Sequence, residues 1–454
     1  MLIKTFGSTL QGIDAITITV EVHVGQGSAF FLVGLPDNAV KESQQRIWAA
    51  LKNSGFRWPG RNITINMAPA DIKKEGSAYD LTLAVGILAA SEQIRRENIG
   101  DYLIMGELSL DGGLQPMKGA LPIAIEARNK GFKGFILPKE NAQEAAIVDG
   151  VAIYGMENIM EVIQFLEGKV EVQPTKVNTR QEFYSCLKGY DFDFSDVKGQ
   201  ENIKRSMEIA AAGGHNLILI GPPGAGKTML AKRLPSILPP LNLHEALETT
   251  KIHSVAGKMP KDHSLISVRP FRSPHHTISD AGLVGGGTYP QPGEISLAHN
   301  GVLFLDELPV FKRTVLEVMR QPMEERVVTI ARARLSVEYP ASFMLVASMN
   351  PCPCGYYNHP DKDCSCAPGI VQRYLNKISG PLLDRIDIHV EVVPVPFREL
   401  SNLTSSEKSE VIRERVIKAR RIQEERFRES KGIYCNAQMT SKQLRSICTI
   451  DQAG

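Results

Sequence analysis

The segment Leu217-Ile218-Leu219-Ile220-Gly221-Pro222-Pro223-Gly224-Ala225-Gly226-Lys227-Thr228 decides the fold of this chain. Four apolar residues form a predicted buried strand and run straight into the pattern G-x-x-x-x-G-K-T, after which residues 229–237 are predicted to be helical. Glycines let a backbone wrap closely around phosphates, and the N–H groups of the loop and the helix start supply partial positive charge. The pattern predicts an ATP site, whose binding residues are Gly221, Pro222, Pro223, Gly224, Ala225, Gly226, Lys227 and Thr228.

A second predicted strand, the apolar run 302–305, ends in two acidic residues. In a P-loop site the lysine, here Lys227, reaches the β and γ phosphates, and the hydroxyl that follows it, here Thr228, ligates Mg²⁺. Ligands of open α/β sheets bind where the strands end. We therefore predict that Asp306 holds the Mg²⁺ shell and that Glu307 activates the attacking water. The alternative for these two carboxylates is a solvated acidic turn.

A third predicted buried strand, residues 344–350, ends in the polar residue Asn350. We predict that Asn350 orients the water beside the γ-phosphate. The alternative is a turn residue, since the dipeptide Asn350-Pro351 is typical of turns. Three short apolar strands alternating with helical segments favour an α/β fold with a parallel sheet that is covered on both faces.

Composition limits the class of protein. The chain has 454 residues, of which 43% are apolar and 22% charged, so we expect two or three globular domains. A net charge of +2 means that nucleic acid would have to bind at local patches. The first residues show no basic region followed by an apolar core, so we expect no secretory signal. The longest apolar run, about 81–90, is too short for a membrane-spanning helix. Seven cysteines, an odd number, favour a reducing compartment, and we expect a cytoplasmic protein.

Changes of pattern along the chain predict four segments. Residues 1–168 mix strands and helices, and 169–190 is a proline-containing linker. Residues 191–396 carry the predicted ATP site. Residues 397–454 turn helical, with a helix expected from Ser405 or Ser406 to about Ser430, and form the start of a helical lid.

The strand ends and the segment Leu382-Leu383-Asp384-Arg385-Ile386-Asp387 resemble the Walker B, sensor 1 and arginine-finger elements of AAA+ ATPases. They are most similar to the branch that contains magnesium chelatase and the MCM helicases. The resemblance implies that Arg385 stabilises the transition state in trans, in the neighbouring subunit's site, and hence that the chain forms a ring, expected to be a hexamer. The alternative is a surface arginine paired with Asp384 or Asp387.

Residues 327–338 are predicted to form a β-hairpin. Part of the long span between the P-loop and the second strand resembles an insertion without regular structure, and this span contains the segments 269–277, 285–287 and 292–294. In the helicase relatives, hairpins at these two places face the central pore and grip DNA. Arg332 and Arg334 lie two residues apart and would share one strand face, which makes them candidate DNA phosphate contacts. The alternative is a solvated basic strand.

Four of the seven cysteines fall within fifteen residues, in the order Cys352, Cys354, Cys364 and Cys366. Two pairs of thiolates suit tetrahedral Zn²⁺, and four cysteines leave no open position for chemistry, so its role would be structural. The C-x-C spacing is tighter than the usual one. Two redox-active pairs and simply buried thiols remain alternatives.

The whole chain resembles the ComM (YifB) family of magnesium-chelatase-like proteins, on the segments 31–38, 270–277, 350–354 and 380–387. The resemblance implies an ATP-driven hexameric branch-migration helicase that acts on single-stranded and branched DNA, on recombination intermediates in natural transformation. The alternatives are a chelatase-type motor that drives a partner enzyme and an ATP-dependent chaperone or protease. The family's lid is expected to continue past Gly454 and to carry a second ATP-sensing arginine.

The segments 74–78, 106–116 and 136–141 resemble the proteolytic domain of Lon, which implies a ribosomal S5-like α+β fold for residues 1–168. Lon uses a Ser–Lys dyad. The ungapped match places Ala78 at the nucleophile position, a shift of one places Ser77 there, and Leu121 falls at the lysine position. A serine without a base stays a weak nucleophile, so we expect the fold without the peptidase.

Overall fold

The computed structural model describes residues 2–95, 97–185, 190, 192–260, 263–287, 290–332, 335–359, 361–395, 406–430 and 432–451. The chain divides into two compact units, residues 1–185 with 247–266, and residues 186–246 with 267–454. The segment 247–266, which lies between the P-loop and the second strand in sequence, thus belongs to the first unit. Inside the predicted linker, Thr179–Ser185 is helical.

The first unit contains a seven-stranded mixed sheet in the order β3-β4-β2-β1-β5-β8-β9. β1 pairs antiparallel with β2 along the whole length of β1, whereas β5, β8 and β9 run parallel. Alternate residues of β2, namely Val20, Val22 and Val24, are buried, as its sequence alternation predicts. The strands are β1 (Leu2–Gln11), β2 (Asp14–Gly25), β3 (Phe30–Val33), β4 (Asn62–Ala68), β5 (Tyr102–Ile104), β6 (Glu107–Leu108), β7 (Leu114–Gln115), β8 (Gly134–Pro138) and β9 (Ala152–Met156).

The helices of the first unit include one that is buried on every side. All eleven residues of α2 are buried, which explains an apolar run that has no amphipathic period. The side chain of Asp37 caps α1 by accepting a hydrogen bond from the Val40 N–H. The helices are α1 (Asn38–Asn53), α2 (Asp80–Ala90), α3 (Ala120–Asn129), α4 (Lys139–Ala145), α5 (Ile159–Leu166) and α6 (Thr179–Ser185).

The second unit is built on a five-stranded sheet in the order β11-β14-β17-β10-β18, in which every neighbouring pair is parallel. Its central strands are buried apolar runs, as the sequence predicts for a sheet covered on both faces. The strands of this unit are β10 (Leu217–Ile220), β11 (Phe271–Arg272), β12 (Gly285–Gly286), β13 (Gln291–Pro292), β14 (Val302–Leu305), β15 (Val327–Arg332), β16 (Leu335–Pro340), β17 (Met344–Met349) and β18 (Ile388–Glu391).

Helices cover this sheet and continue into the C-terminal segment. Ile412 and Val416 of the last long helix are buried in the same apolar cluster as Leu217 and Phe304 of the sheet. The remaining helices, numbered on from the first unit, are α7 (Glu201–Gly213), α8 (Lys227–Arg233), α9 (Leu243–Ala256), α10 (Asp280–Val284), α11 (Glu294–Leu297), α12 (Arg313–Glu317), α13 (Arg320–Glu325), α14 (Ile370–Leu375), α15 (Gly380–Leu383), α16 (Ser409–Arg426) and α17 (Ser441–Ile447). Residues 247–256 of α9 belong to the first unit.

Part of the apparent insertion belongs to the sheet, which corrects the sequence interpretation. Phe271 and Arg272 form β11 and pair in parallel with Val302 and Leu303. A strand of two residues is too short to show periodicity, so no local pattern predicts it. The residues after Arg272 therefore lie at the carboxyl edge of the sheet, with the P-loop and the acidic pair.

The predicted hairpin at 327–338 is confirmed as β15 and β16, which pair antiparallel from Val327 with Pro340 to Arg332 with Leu335.

Across the described part of the chain, no helix has both the length and the apolar character needed to cross a bilayer.

Candidate nucleotide site

The P-loop connects β10 to α8 at the carboxyl edge of the sheet. Gly221 leaves the strand so close to β18 that a Cβ atom there would lie 2.3 Å from the Val392 carbonyl oxygen. Gly226, with φ of +86°, precedes the first residue of α8 in the left-handed region that favours glycine. The fixed glycines of the motif are thus needed for the close approach and for the turn into the helix.

Lys227 points back into the loop that precedes it. Its Nζ donates to the carbonyl oxygens of Gly221 at 2.7 Å and Pro222 at 2.9 Å, and to Asn350 Oδ1 at 3.0 Å. Burial lowers the pKa of Lys227, while the negative charges of Asp306 and Glu307 act against that shift. The structure therefore brings the predicted phosphate-binding lysine and the predicted water-orienting Asn350 into direct contact.

Asp306 accepts hydrogen bonds on both carboxylate oxygens. Thr228 Oγ1 donates to Oδ2 at 2.7 Å, and Oδ1 accepts from the Ser348 hydroxyl and from the Glu307 N–H at 3.1 Å. A carboxylate and a threonine hydroxyl are hard oxygen ligands of the kind that Mg²⁺ prefers, so this pair fits a Mg²⁺ site. Ser348 is fully buried on β17 and was not predicted, because a serine inside an apolar strand carries no motif.

Glu307 stands at a sharp turn, with φ of +55° and ψ of +50°, and its side chain is 54% exposed. Its Oε2 lies 3.7 Å from Nδ1 of His276, which follows the end of β11. The His276 ring lies against that of His275, with centroids 4.0 Å apart, and edge-on to Phe311. His276 therefore lies beside Glu307 in this structure and can influence its position. No sequence signal marked this contact, because the two-residue strand β11 has no period of its own.

We expect His276→Asn to lower kcat for ATP hydrolysis by roughly tenfold or more with little change in KM, because a catalytic group displaced by about 1 Å can cost about 100-fold in rate. Steady-state kinetics of the full-length protein would measure kcat and KM for ATP separately. His244→Asn, at an exposed histidine of α9, is the matched control. A rise in KM with kcat unchanged would contradict a role in positioning Glu307.

Arg385 follows α15 and forms an ion pair with Glu324 of α13, while it also donates to the Pro381 carbonyl oxygen. Its side chain is 28% exposed. The acidic partners considered from the sequence were Asp384 and Asp387, but Asp387 lies 2.9 Å from His215 Nδ1 instead. Within this single chain, the predicted arginine finger is held by a neighbouring helix.

Gln200 connects the start of α7 to the P-loop. It adopts a left-handed conformation with φ of +59°, and its Nε2 donates to the Ala225 carbonyl oxygen at 3.0 Å. The start of α7 is thus held against the P-loop by a direct hydrogen bond. The Oε1 atom of Gln200 is buried and has no hydrogen-bond partner among the described residues.

The sulfur atoms of Cys352, Cys354, Cys364 and Cys366, here called the cysteine cluster, all lie within 4.8 Å of one another. Cys352 is fully buried, and none of the four forms a disulfide. The backbone N–H of Tyr356, together with the Cys352 side chain, lowers the pKa of Cys354 to about 5. Against backbone hydrogen bonds that lower it, burial and the side chains of Cys352 and Cys354 raise the pKa of Cys364 and Cys366. The cluster therefore favours the thiolate, the form that binds metals, at Cys354 and not at Cys364 or Cys366.

Comparison with known proteins places the chain in a family. The family model for magnesium chelatase, subunit ChlI, matches residues 193–400, and related models for ChlI match residues 20–141 and 406–454. Competence protein ComM of Haemophilus influenzae is 43% identical over 97% of this chain and 85% of its own length. The YifB protein of Escherichia coli is 44% identical over the same shares. The chain belongs to the ComM/YifB family.

Membership of the ComM/YifB family brings with it the magnesium-chelatase-like AAA+ architecture, for which ATP and Mg²⁺ are the implied ligands. Lon protease 2 of Bacillus subtilis is also similar, at 28% identity over 31% of this chain and 26% of its own length. The α/β fold class with a parallel P-loop sheet is thereby confirmed by structure and family together.

The first unit of this ComM/YifB protein can be compared with the expected protease dyad. The Ser77 hydroxyl donates to a carboxylate oxygen of Glu107. Leu121, at the position matched to the Lon lysine, is fully buried, and its N–H donates to Glu144 Oε1 at 2.9 Å. Ser77 is therefore hydrogen-bonded to an acid, and an apolar core residue occupies the lysine position.

The hairpin of the ComM/YifB chain carries one described candidate for DNA contact. Arg332 is exposed at the end of β15, and its Nε donates to the Gly287 carbonyl oxygen at 3.3 Å. Arg334, the second candidate, lies outside the described residues. The hydrogen bond connects β15 to the glycine-rich turn after β12, so the two spans predicted as pore hairpins are neighbours.

Proposed function

We propose that this ComM/YifB protein hydrolyses Mg²⁺-ATP at the carboxyl edge of the second unit's sheet. The observation that carries the proposal is the convergence of Lys227, Asn350, Thr228 and Asp306 through hydrogen bonds of 2.7 to 3.0 Å. Lys227 binds the phosphates and Thr228 and Asp306 hold Mg²⁺, which supplies charge neutralisation for phosphoryl transfer. Glu307 activates the water and Asn350 orients it.

We further propose that the chain assembles into a ring, a hexamer, in which Arg385 reaches the neighbouring subunit's site. The ring works in the cytoplasm as a DNA motor, a branch-migration helicase on recombination intermediates in natural transformation. Support comes from the name of the Haemophilus relative, a competence protein, and from the exposed Arg332 on a β-hairpin. The first unit keeps a Lon-like fold without peptidase activity and serves DNA binding or ring organisation.

DNA is expected to stimulate ATP hydrolysis several-fold, and the stimulation is expected to fall steeply with salt because phosphate contacts release counterions. The measurement is ATP turnover with single-stranded and branched DNA between about 50 and 200 mM salt. Arg332→Ala combined with Arg334→Ala is expected to reduce the stimulation and to leave turnover without DNA unchanged. Arg428→Ala, at an exposed arginine beyond α16, is the control.

Turnover that is real but indifferent to every DNA would contradict the helicase proposal and leave the ATPase standing. It would favour the second candidate, a chelatase-type motor that drives a partner enzyme. The observation behind that candidate is the match of magnesium chelatase family models to three parts of the chain. Peptide cleavage by the purified chain would instead support the protease alternative.

A further inference from the structure

The loop that carries the cysteine cluster packs directly against the P-loop. A Cβ atom built on Gly355, the residue after Cys354, would lie 2.5 Å from Cδ and 3.2 Å from Cγ of Pro223. Gly355 also has φ of +87°, so both its conformation and its surroundings require glycine. The backbone that follows Cys354 is therefore in close contact with the phosphate-binding loop.

A second connection runs along the chain. Asn350, which accepts a hydrogen bond from Lys227 Nζ at 3.0 Å, lies two residues before Cys352. The Cys352 carbonyl oxygen accepts from the Gly355 N–H at 3.0 Å, which closes a turn around Cys354. The first two cysteines thus lie between the residue that contacts Lys227 and the residue that contacts Pro223.

The sulfur geometry suits one tetrahedral ion. The Cys352 Sγ lies 3.2 Å from that of Cys354 and 3.7 Å from that of Cys364, and the Cys354 and Cys364 Sγ atoms are 3.6 Å apart. Zn–S bonds of about 2.3 Å in a tetrahedron place sulfur atoms about 3.8 Å apart. A disulfide would need about 2.05 Å. The observed spacing therefore favours metal ligation over disulfide pairs.

We propose that the cysteine cluster binds one structural Zn²⁺ and that this ion holds the P-loop and Asn350 in the arrangement that binds nucleotide. The thiols lose their protons to solvent as the ion binds, and four thiolates fill its coordination. The proposed zinc site depends only on the cysteine cluster. The proposed effect of zinc on nucleotide binding also depends on the nucleotide site proposed above. The ion stabilises the conformation of the loop beside the ATP site and takes no part in hydrolysis.

The zinc content of the purified full-length chain tests whether the cysteine cluster binds Zn²⁺. Elemental analysis is expected to find one zinc per chain in the wild type, and a loss of zinc in the double variant Cys364→Ser with Cys366→Ser. Cys448→Ser, at an exposed cysteine outside the cluster, is the control and is expected to keep its zinc. A wild type without zinc, or a double variant that retains it, overturns the site.

The affinity for a fluorescent ADP analogue tests the coupling. Removing zinc is expected to weaken nucleotide binding about five- to tenfold, at the lower end of the typical coupling between two sites. Gly355→Ala is expected to weaken binding similarly while the four cysteines keep their zinc. Gly369→Ala is the matched control, since Gly369 has φ of +82° and nothing within 4 Å of an added Cβ. It carries the same backbone cost without touching the P-loop.

The outcomes separate the two proposals. Equal affinity in zinc-loaded and zinc-free wild type, or full affinity in Gly355→Ala, overturns the coupling and leaves the nucleotide site intact. Equal losses in Gly355→Ala and Gly369→Ala also overturn it, because backbone strain alone would then explain the effect. A zinc-loaded wild type that binds no nucleotide overturns the nucleotide site and the coupling together.

Discussion

Replacing Lys227 with alanine is expected to lower ATP hydrolysis by at least about 100- to 1,000-fold, the loss typical of removing one preorganised charge-stabilising donor. Lys227 is the buried cation of the P-loop, and its Nζ already lies within 3.0 Å of Asn350. Alanine removes the positive charge that would meet the β and γ phosphates. It also leaves Asn350 without its partner, so the effect should exceed that of a simple binding defect.

The measurement for Lys227→Ala is ATP turnover of the full-length protein, beside nucleotide binding and thermal unfolding. Glu307→Gln is the informative companion, because it removes the proposed base and keeps the shape, so it should bind ATP and fail to turn it over. Lys232→Ala, one turn further along α8, is the control on the same helix. A Lys227→Ala protein with near-normal turnover would rule out this edge of the sheet as the ATP site.

The second large effect is expected at Arg385, where alanine should lower turnover by about 10³- to 10⁵-fold, the range for an arginine finger. The Arg385 guanidinium forms an ion pair with Glu324 of the same chain. In a ring the arginine would exchange this carboxylate for the phosphates of the adjacent subunit. The exchange keeps the charge paired in both situations, which avoids leaving a half-buried cation alone.

Mixing two inactive proteins gives the sharpest test of action in trans. Arg385→Ala keeps its own P-loop, and Lys227→Ala keeps its own Arg385, so mixed rings contain interfaces with both groups intact. Mixing is expected to restore turnover. Lys227→Ala mixed with Glu307→Gln is the control and should stay inactive, because both of those residues act in the same subunit's site. Failure of the first mixture to recover would place Arg385 in its own chain's chemistry or outside it.

The P-loop and its partners could be predicted from the sequence because their signals are local. A strand followed by G-x-x-x-x-G-K-T fixes where Lys227 lies, and the parallel sheet then brings the ends of β14 and β17 to the same edge. Contact between Lys227 and Asn350 follows from that topology, although they are 123 residues apart in sequence. The hairpin over 327–338 was found for the same reason, since alternation is a local property.

The features that escaped prediction depend on non-local packing. The two-residue strand β11 has no period of its own and exists only because it pairs with Val302 and Leu303. Because β11 was not predicted, the proximity of His276 to Glu307 was not predicted either. Gly355 and Pro223 are 132 positions apart in sequence, and no sequence pattern predicts their contact. The partner of Arg385 was sought among adjacent acids and lies on α13 instead.

The assignment of residues 247–266 to the first unit has a topological consequence. The polypeptide passes from one unit to the other three times, after residues 185, 246 and 266. A single break in the linker therefore separates most of the first unit from the chain but leaves its segment 247–266 covalently joined to the second unit. A fragment that begins at the ATPase unit likewise carries these twenty residues away from the rest of their own unit. Exchange of the first unit between relatives would have to move two separate pieces of sequence at once.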